Sequence, residues 1–218
     1  MTTAPQPLPG RPRDPQKDVD VLAATRELLV EEGYQATTIV AIARRAGVGA
    51  PAIYRRWPRR EAIIEDAVFG EIGPTAIPES TGELRKDLHA WTLTFIQQFA
   101  DPVTRAAIPG LLMAYEHDVD LYERLVNRTE HDVRVLFTDL VHRYLTDLPA
   151  TELTLRTDAI FDFLVATTAI RALTFGLVDH ENFCTRTADA LTALAYSTWR
   201  APRRRRSVSS PRSARRTT

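Results

Sequence analysis

The chain is 218 residues long, 44% apolar and 26% charged, an ordinary balance for a globular protein with room for one small and one larger unit. One cysteine, Cys184, excludes an internal disulfide framework, and no apolar run approaches the ~18 residues of a membrane span. The formal net charge of zero is segregated: residues 1–60 carry +4, residues 61–199 carry −12 and residues 200–218 carry +8, so only the ends are suited to a polyanion.

Glycine is scarce and no long run alternates β-branched with polar residues, so almost all of the chain is expected to be helical. Residues 1 to about 17 are rich in proline and polar residues and read as a disordered arm. Arg11 and Arg13, in GRPR, suit a narrow minor groove; a plain solubilising arm explains them equally. A first helix is expected from Asp18 to Glu32, with Val21, Ala24, Thr25, Leu28 and Leu29 inward and Gly33 ending it.

The stretch from Thr37 to Trp57 has the pattern of a helix-turn-helix. Ile39, Ile42, Ala43 and Ala46 share one face of the first of its helices, and Thr37 or Thr38 can cap it through a hydroxyl oxygen. Gly47 can take the positive φ at which the chain reverses, and Val48 is the apolar plug of the turn. Gly49, Ala50, Pro51 and Ala52 open the second helix with side chains small enough for a close approach, and proline costs nothing where a first-turn N–H has no intrahelical partner. Ile53 and Trp57, four apart, point inward, while Tyr54, Arg55 and Arg56 are expected outward. Arginines and a tyrosine beside a narrow helix tip fit phosphates and base edges in a major groove. An ordinary helical hairpin with a solvated arginine face is the alternative.

The spacing of Gly33-Tyr34, Thr37-Thr38, Ile42-Ala43, Ala46-Gly47-Val48, Ile53-Tyr54, Trp57 and Arg60-Glu61 resembles the N-terminal domain of the TetR family of bacterial transcriptional regulators over residues about 18–66. The resemblance implies an all-α fold. A three-helix DNA-binding domain at 18–66 would be followed by a larger helical regulatory and dimerisation domain at 67–200 and an arginine-rich disordered tail at 201–218, with about nine helices in all. It implies a homodimer that places two reading helices in successive major grooves of a near-palindromic operator, with a small-molecule effector governing release. Phosphate contacts fall to Thr38, Tyr54, Arg56 and Arg60; base-edge or methyl contacts fall to Ala50, Pro51 and Arg55, with Gly49 beside them. Val40 stands where the family often has a polar residue, which leaves more to Arg44.

A fourth helix is expected from Arg59 to about Phe69, linking reading and sensing parts and stopping before Gly73, Pro74 and Pro78. Ser80 to Glu83 reads as a capping box opening a helix to about Ala100, with Leu84, Leu88, Trp91, Phe95 and Phe99 as its stripe. Asp101-Pro102 starts the next, from Val103 to Tyr115, where Pro109-Gly110 predicts a kink near Ile108. One long helix is expected over Asp118–Leu145 with Leu121, Leu125, Val133, Leu136, Phe137, Leu140, Val141 and Tyr144 inward. Two more follow, from about Glu152 to Gly176, apolar nearly all round, and from Asp179 to Trp199. In the family the last two long helices, here about 152–176 and 179–199, form the dimer bundle; one larger core would also explain the sequence.

Trp91, Phe95, Phe99, Met113, Tyr115, Phe137 and Phe161 are the residues expected to line an effector pocket for an apolar or aromatic molecule, or else to be core. The five histidines fall in no ligand-like spacing, and no nucleophile elbow, phosphate-binding glycine loop or H-E-x-x-H occurs, so no catalytic residue, metal or cofactor is expected. With one thiol and no signal peptide, the expected location is the cytoplasm. The expected function is a ligand-responsive repressor. The alternatives are a DNA-binding architectural protein acting through the arginine tail without sequence preference, and an all-helical enzyme or carrier. Removing residues 201–218 should abolish binding only in the architectural case.

Overall fold

The computed structural model describes residues 15–70, 77–116 and 131–198, and among these the protein is all-helical. Residues 1–14 with Arg11 and Arg13, residues 71–76 with Gly73 and Pro74, residues 117–130 with Leu121 and Leu125, and residues 199–218 with Trp199 and the arginine-rich end lie outside them. Nine helices are described: α1 Gln16–Ala36, α2 Ile39–Arg45, α3 Ala50–Tyr54, α4 Arg60–Phe69, α5 Leu84–Ala100, α6 Pro102–Tyr115, α7 His131–His142, α8 Ala150–Phe175 and α9 His180–Tyr196.

The first four helices form a head. Val21, Leu28, Ile42, Ala43, Ile53, Trp57 and Ile63 bury one another at its centre, and the expected inner stripe of α1 is buried throughout. Gly33 interrupts α1 at φ 80 and ψ 174, a conformation open to glycine, and the chain then resumes one short turn that drives Tyr34 inward. Gly47, at φ 64, makes the reversal between α2 and α3.

The remaining helices form a body. Its core takes Leu84, Leu88 and Trp91 from α5, Phe137, Leu140 and Val141 from α7, Ile160, Phe161 and Leu164 from α8, and Ala188, Leu191 and Ala195 from α9. Between head and body lies a third apolar cluster of Leu29, Tyr34, Ile64, Ala107, Leu111 and Tyr115. Helix α4 serves both sides, with Ile63 in the head and Ile64 in the junction, so the division expected near residue 67 falls inside one continuous helix.

Several local expectations change. Ser80 and Glu83 form no capping box: α5 begins at Leu84. Asp87, in its first turn, accepts instead from the Ser80 hydroxyl (2.7 Å), the Thr81 N–H (2.7 Å), the Thr81 hydroxyl (2.6 Å) and, from beyond α7, the Tyr144 hydroxyl (2.6 Å). Burial pushes the Asp87 carboxyl up, but these donors outweigh it and hold the group below the ordinary carboxylate value. Asp101 does cap α6, accepting from the N–H groups of Val103 (3.0 Å) and Thr104 (3.1 Å). Helix α6 continues through Pro109. Helix α7 ends at His142, before Leu145, and Leu136 is 41% exposed although Leu140, one turn on, is buried.

Candidate nucleic-acid interface

The head leaves one face of the helix-turn-helix uncovered. In α2, Ile42 and Ala43 are buried, and a residue advances about 100° per step, so Val40 and Arg44 fall together on the far side; both are exposed, Val40 to 72%. Thr38 caps the helix by accepting the Ala41 N–H at 3.2 Å, while its neighbour Thr37 is buried and donates to the Gly33 carbonyl at 2.8 Å. Ile53 of α3 and Trp57, just beyond its end, anchor the inner side, and the Trp57 indole donates to Asp66 at 2.7 Å. Gly49, Pro51, Tyr54 and Arg55 are left exposed, with Ala50 half-buried beside them. The expected residues Thr38, Arg44, Gly49, Ala50, Pro51, Tyr54 and Arg55 are therefore all carried by this uncovered part of α2, the turn and α3.

Of the other two expected contacts, one is turned away from this face and one lies on α4. Arg56 does not point out: it is half-buried and ion-paired with Asp18 at the start of α1. The reason is local: residue 56 lies in the turn after α3, where its N–H bonds the carbonyl of the buried Ile53 at 2.9 Å. Arg60 lies at the start of α4, with its guanidinium carbon 4.5 Å from the centroid of the Tyr34 ring. Its Nε and Nη2 reach Glu61 Oε1 at 3.2 and 3.1 Å.

Arg45 would be indistinguishable from Arg44 in sequence. It is turned the other way, onto α1, where it meets Glu31 at 2.6 Å, Glu32 at 3.3 Å and Glu27 at 3.7 Å. Among the described residues no ion pair engages Arg44 or Arg55, so their charge remains available to an outside anion.

Sequence reasoning missed the polar junction under this surface. The Tyr34 hydroxyl donates to Glu61 Oε1 at 3.4 Å, and burial followed by the Glu61 charge raises its pKa. Tyr115 on α6 donates to the buried Glu65 of α4 at 2.7 Å, and burial followed by that carboxylate pushes its phenol far up. No periodicity signals partners fifty residues apart.

The expected pocket residues divide. Trp91, Phe95, Phe137 and Phe161 pack as one cluster, with ring centroids 5.0–6.0 Å apart, and Phe99 extends it at 6.0 Å from Phe95. Met113 is 67% exposed on α6, and Tyr115 belongs to the junction with α4, so neither joins the cluster. A concavity of about 430 Å³ lies elsewhere, an open groove between α8 and α9 lined by Phe163, Thr167, Phe183, Ala190 and Leu194. Cys184, on α9, is buried, and burial with the Glu181 charge pushes its thiol up to about 11. Among the described residues no group of three or more histidine, cysteine or acidic side chains is placed to hold a metal, and no helix is long and apolar enough to cross a membrane.

The description "Bacterial regulatory proteins, tetR family" matches residues 21–67, and "Tetracyclin repressor-like, C-terminal domain" matches residues 78–191. An uncharacterised helix-turn-helix transcriptional regulator of Mycobacterium tuberculosis is 36% identical over 92 residues, covering 40% of this chain and 46% of that protein. The uncharacterised regulator YdeS of Bacillus subtilis is 35% identical over 121 residues, covering 55% of this chain and 60% of YdeS. The chain thus spans about half the length of the curated relatives it matches. The crystal structure of the TetR family transcription regulator SCO0332 superposes with a TM-score of 0.60 at 25% identity, covering 83% of this chain and 97% of that one. These relatives are transcriptional regulators, not enzymes.

Proposed function

The chain belongs to the TetR family of bacterial regulatory proteins, and from that premise we propose that it is a DNA-binding transcriptional repressor acting as a homodimer in the cytoplasm and released by a small apolar or aromatic effector. The observation that carries the DNA reading is the uncovered strip of Thr38, Arg44, Gly49, Ala50, Pro51, Tyr54 and Arg55, with two guanidiniums unclaimed by any ion pair among the described residues. Arg44, Tyr54 and the Thr38 hydroxyl suit backbone phosphates, and Arg55 with the small Ala50–Pro51 tip suits guanine and thymine-methyl edges. Arg60 contributes a further phosphate contact, whereas Arg56, held by Asp18, organises the head. The head and the body divide near residue 67, and Arg11 and Arg13 add a minor-groove arm.

Dimerisation is assigned to α8 and α9. Phe163, Ile170 and Tyr196 are each more than half exposed there, on sides of their helices away from Phe161, Leu164 and Ala195, and exposed apolar surface of this kind marks a protein interface. A two-fold dimer would set its reading helices about 34–36 Å apart, one turn of the duplex. The aromatic cluster around Trp91 and Phe161, extended by Phe99, is the part of the body that would open to admit the effector. Effector binding would favour whichever separation of the heads accommodates it.

The test is a duplex enriched by the protein from a randomised library. Arg55→Ala should weaken binding and relax the preference at one position of each half-site, and Tyr54→Phe should weaken binding to all sequences alike. Unchanged affinity and selectivity in both variants would remove the proposed reading surface, and binding lost on deleting residues 201–218 would favour the architectural reading instead.

A further inference from the structure

The Tyr34 ring is where three elements of the head and body meet. Gly33 turns it inward from the end of α1, and the Arg60 guanidinium of α4 lies 4.5 Å from its centroid. From α6, Gly110 approaches so closely that a Cβ there would stand 2.2 Å from Tyr34 Cγ, 2.3 Å from Cδ1 and 2.5 Å from Cδ2. The near-equal distances to the two Cδ atoms put Gly110 against the face of the ring rather than its edge. Only glycine leaves room for that contact, and with no gap between them the ring cannot stay in place if this part of α6 moves.

The ring also sits in a polar clamp. Glu61 Oε1 accepts from the Tyr34 hydroxyl at 3.4 Å and from Arg60 Nε and Nη2 at 3.2 and 3.1 Å. Arg60 is thereby held by one edge of its guanidinium on Glu61 and by the Tyr34 ring that its guanidinium carbon lies over. A planar cation fixed on two sides presents its remaining donors in one direction, which is what recognition of a phosphate at a set distance requires.

We propose that Tyr34 is the positioning residue that aims Arg60 at the DNA backbone and that, through Gly110, it makes that aim depend on the placement of α6. Arg60 does the contacting; Tyr34 acts through it. The inference rests on the reading of Arg60 as a phosphate contact. It adds a route from body to head that passes through the end of α1, beside the Tyr115–Glu65 bond that ties α6 to α4 directly. A displacement of α6 by less than the width of a methyl group would be felt at Arg60, because the ring transmits it without slack.

A double-mutant cycle tests the proposal, using the full chain and a duplex enriched by the wild-type protein from a randomised library. Arg60→Ala should weaken binding about tenfold at all sequences and lower the salt slope by about one per head. Tyr34→Leu, which keeps apolar bulk but removes the ring face, should cost nearly as much, and the double variant should cost no more than Arg60→Ala alone. Tyr34→Phe, which keeps the ring and loses only the hydroxyl, should retain most of the wild-type affinity. Gly110→Ala, remote from any DNA contact, should weaken binding in the wild type and leave the Arg60→Ala protein unchanged. Should Gly110→Ala not fold, as a melting curve would show, the Tyr34–Arg60 cycle decides alone. Losses that multiply in the double variant would reduce Tyr34 to an ordinary core residue and overturn the proposal, as would an Arg60→Ala protein with full affinity. In the second case an Arg55→Ala protein that still binds poorly would leave the DNA reading standing.

Discussion

The head and the body each leave a face uncovered, and the two faces are chemically opposite. On the head the exposed residues include a capping threonine, two arginines, a proline and a tyrosine, with Val40 among them, above a core of Ile42, Ile53 and Trp57. On the body the exposed residues of α8 and α9 include Phe163, Ile170 and Tyr196, above a core of Phe161, Leu164 and Ala195. A face with free guanidiniums gains by meeting a polyanion, whose counterions it releases; a face of aromatic and aliphatic groups gains by leaving water. The proposed function gives the first face to a nucleic acid and the second to another protein surface. The junction of Leu29, Tyr34, Ile64, Leu111 and Tyr115 lies between them.

The largest effect should come from separating core from face within α8. Phe161 is 1% exposed and Phe163 is 57% exposed, only two positions on. Phe161→Ala removes the ring that Phe95, Phe137 and the Arg134 guanidinium all pack against, and should cost about 3–5 kcal/mol, read as a fall in melting temperature. Phe163→Asp should leave the helical circular dichroism intact and halve the mass seen by sedimentation. A Phe163→Asp protein that still sediments as a dimer would move the interface away from this face.

A smaller contrast lies within the head, between adjacent arginines. Arg44→Ala should weaken DNA binding several-fold and shallow its salt dependence by about one unit per head, because it deletes an uncommitted charge. Arg45→Ala deletes a charge already neutralised by Glu27, Glu31 and Glu32, so affinity and salt slope should both hold. Equal losses in the two variants, measured by titration at several salt concentrations, would erase the distinction drawn between a committed and a free cation.

The smallest effect is one of pH and belongs to the body alone. Asp87 has a folded-state pKa held below its ordinary value, so its contribution to stability is complete above about pH 4 and is lost as pH falls through the lower, folded value. Asp87→Asn should flatten the acid limb of a urea-unfolding series below about pH 4 and leave DNA binding at neutral pH unaltered. An acid limb identical to the wild type would show that the four donors around Asp87 favour its charged form no more than water does.

Much of what depends on neighbours three or four residues away could be read from the chain, although the Ser80–Glu83 capping box was not borne out. The stripe of α1, the Thr38 cap, the positive φ at Gly47, the inward pair Ile53 and Trp57 and the Asp101 cap are set by helical geometry and backbone sterics, which act within a turn. The tertiary structure alone decided which charges are free and which helices touch. Arg45 finds its acids thirteen to eighteen residues back along the chain, Tyr115 finds Glu65 across fifty, and Gly110 is small because Tyr34, from another helix, lies on it. Met113 and Phe137 look alike as apolar residues on helices, yet one faces out and the other is sealed. Periodicity fixes which side of a helix is apolar, whereas the partner that covers that side is chosen by the packing of the whole chain.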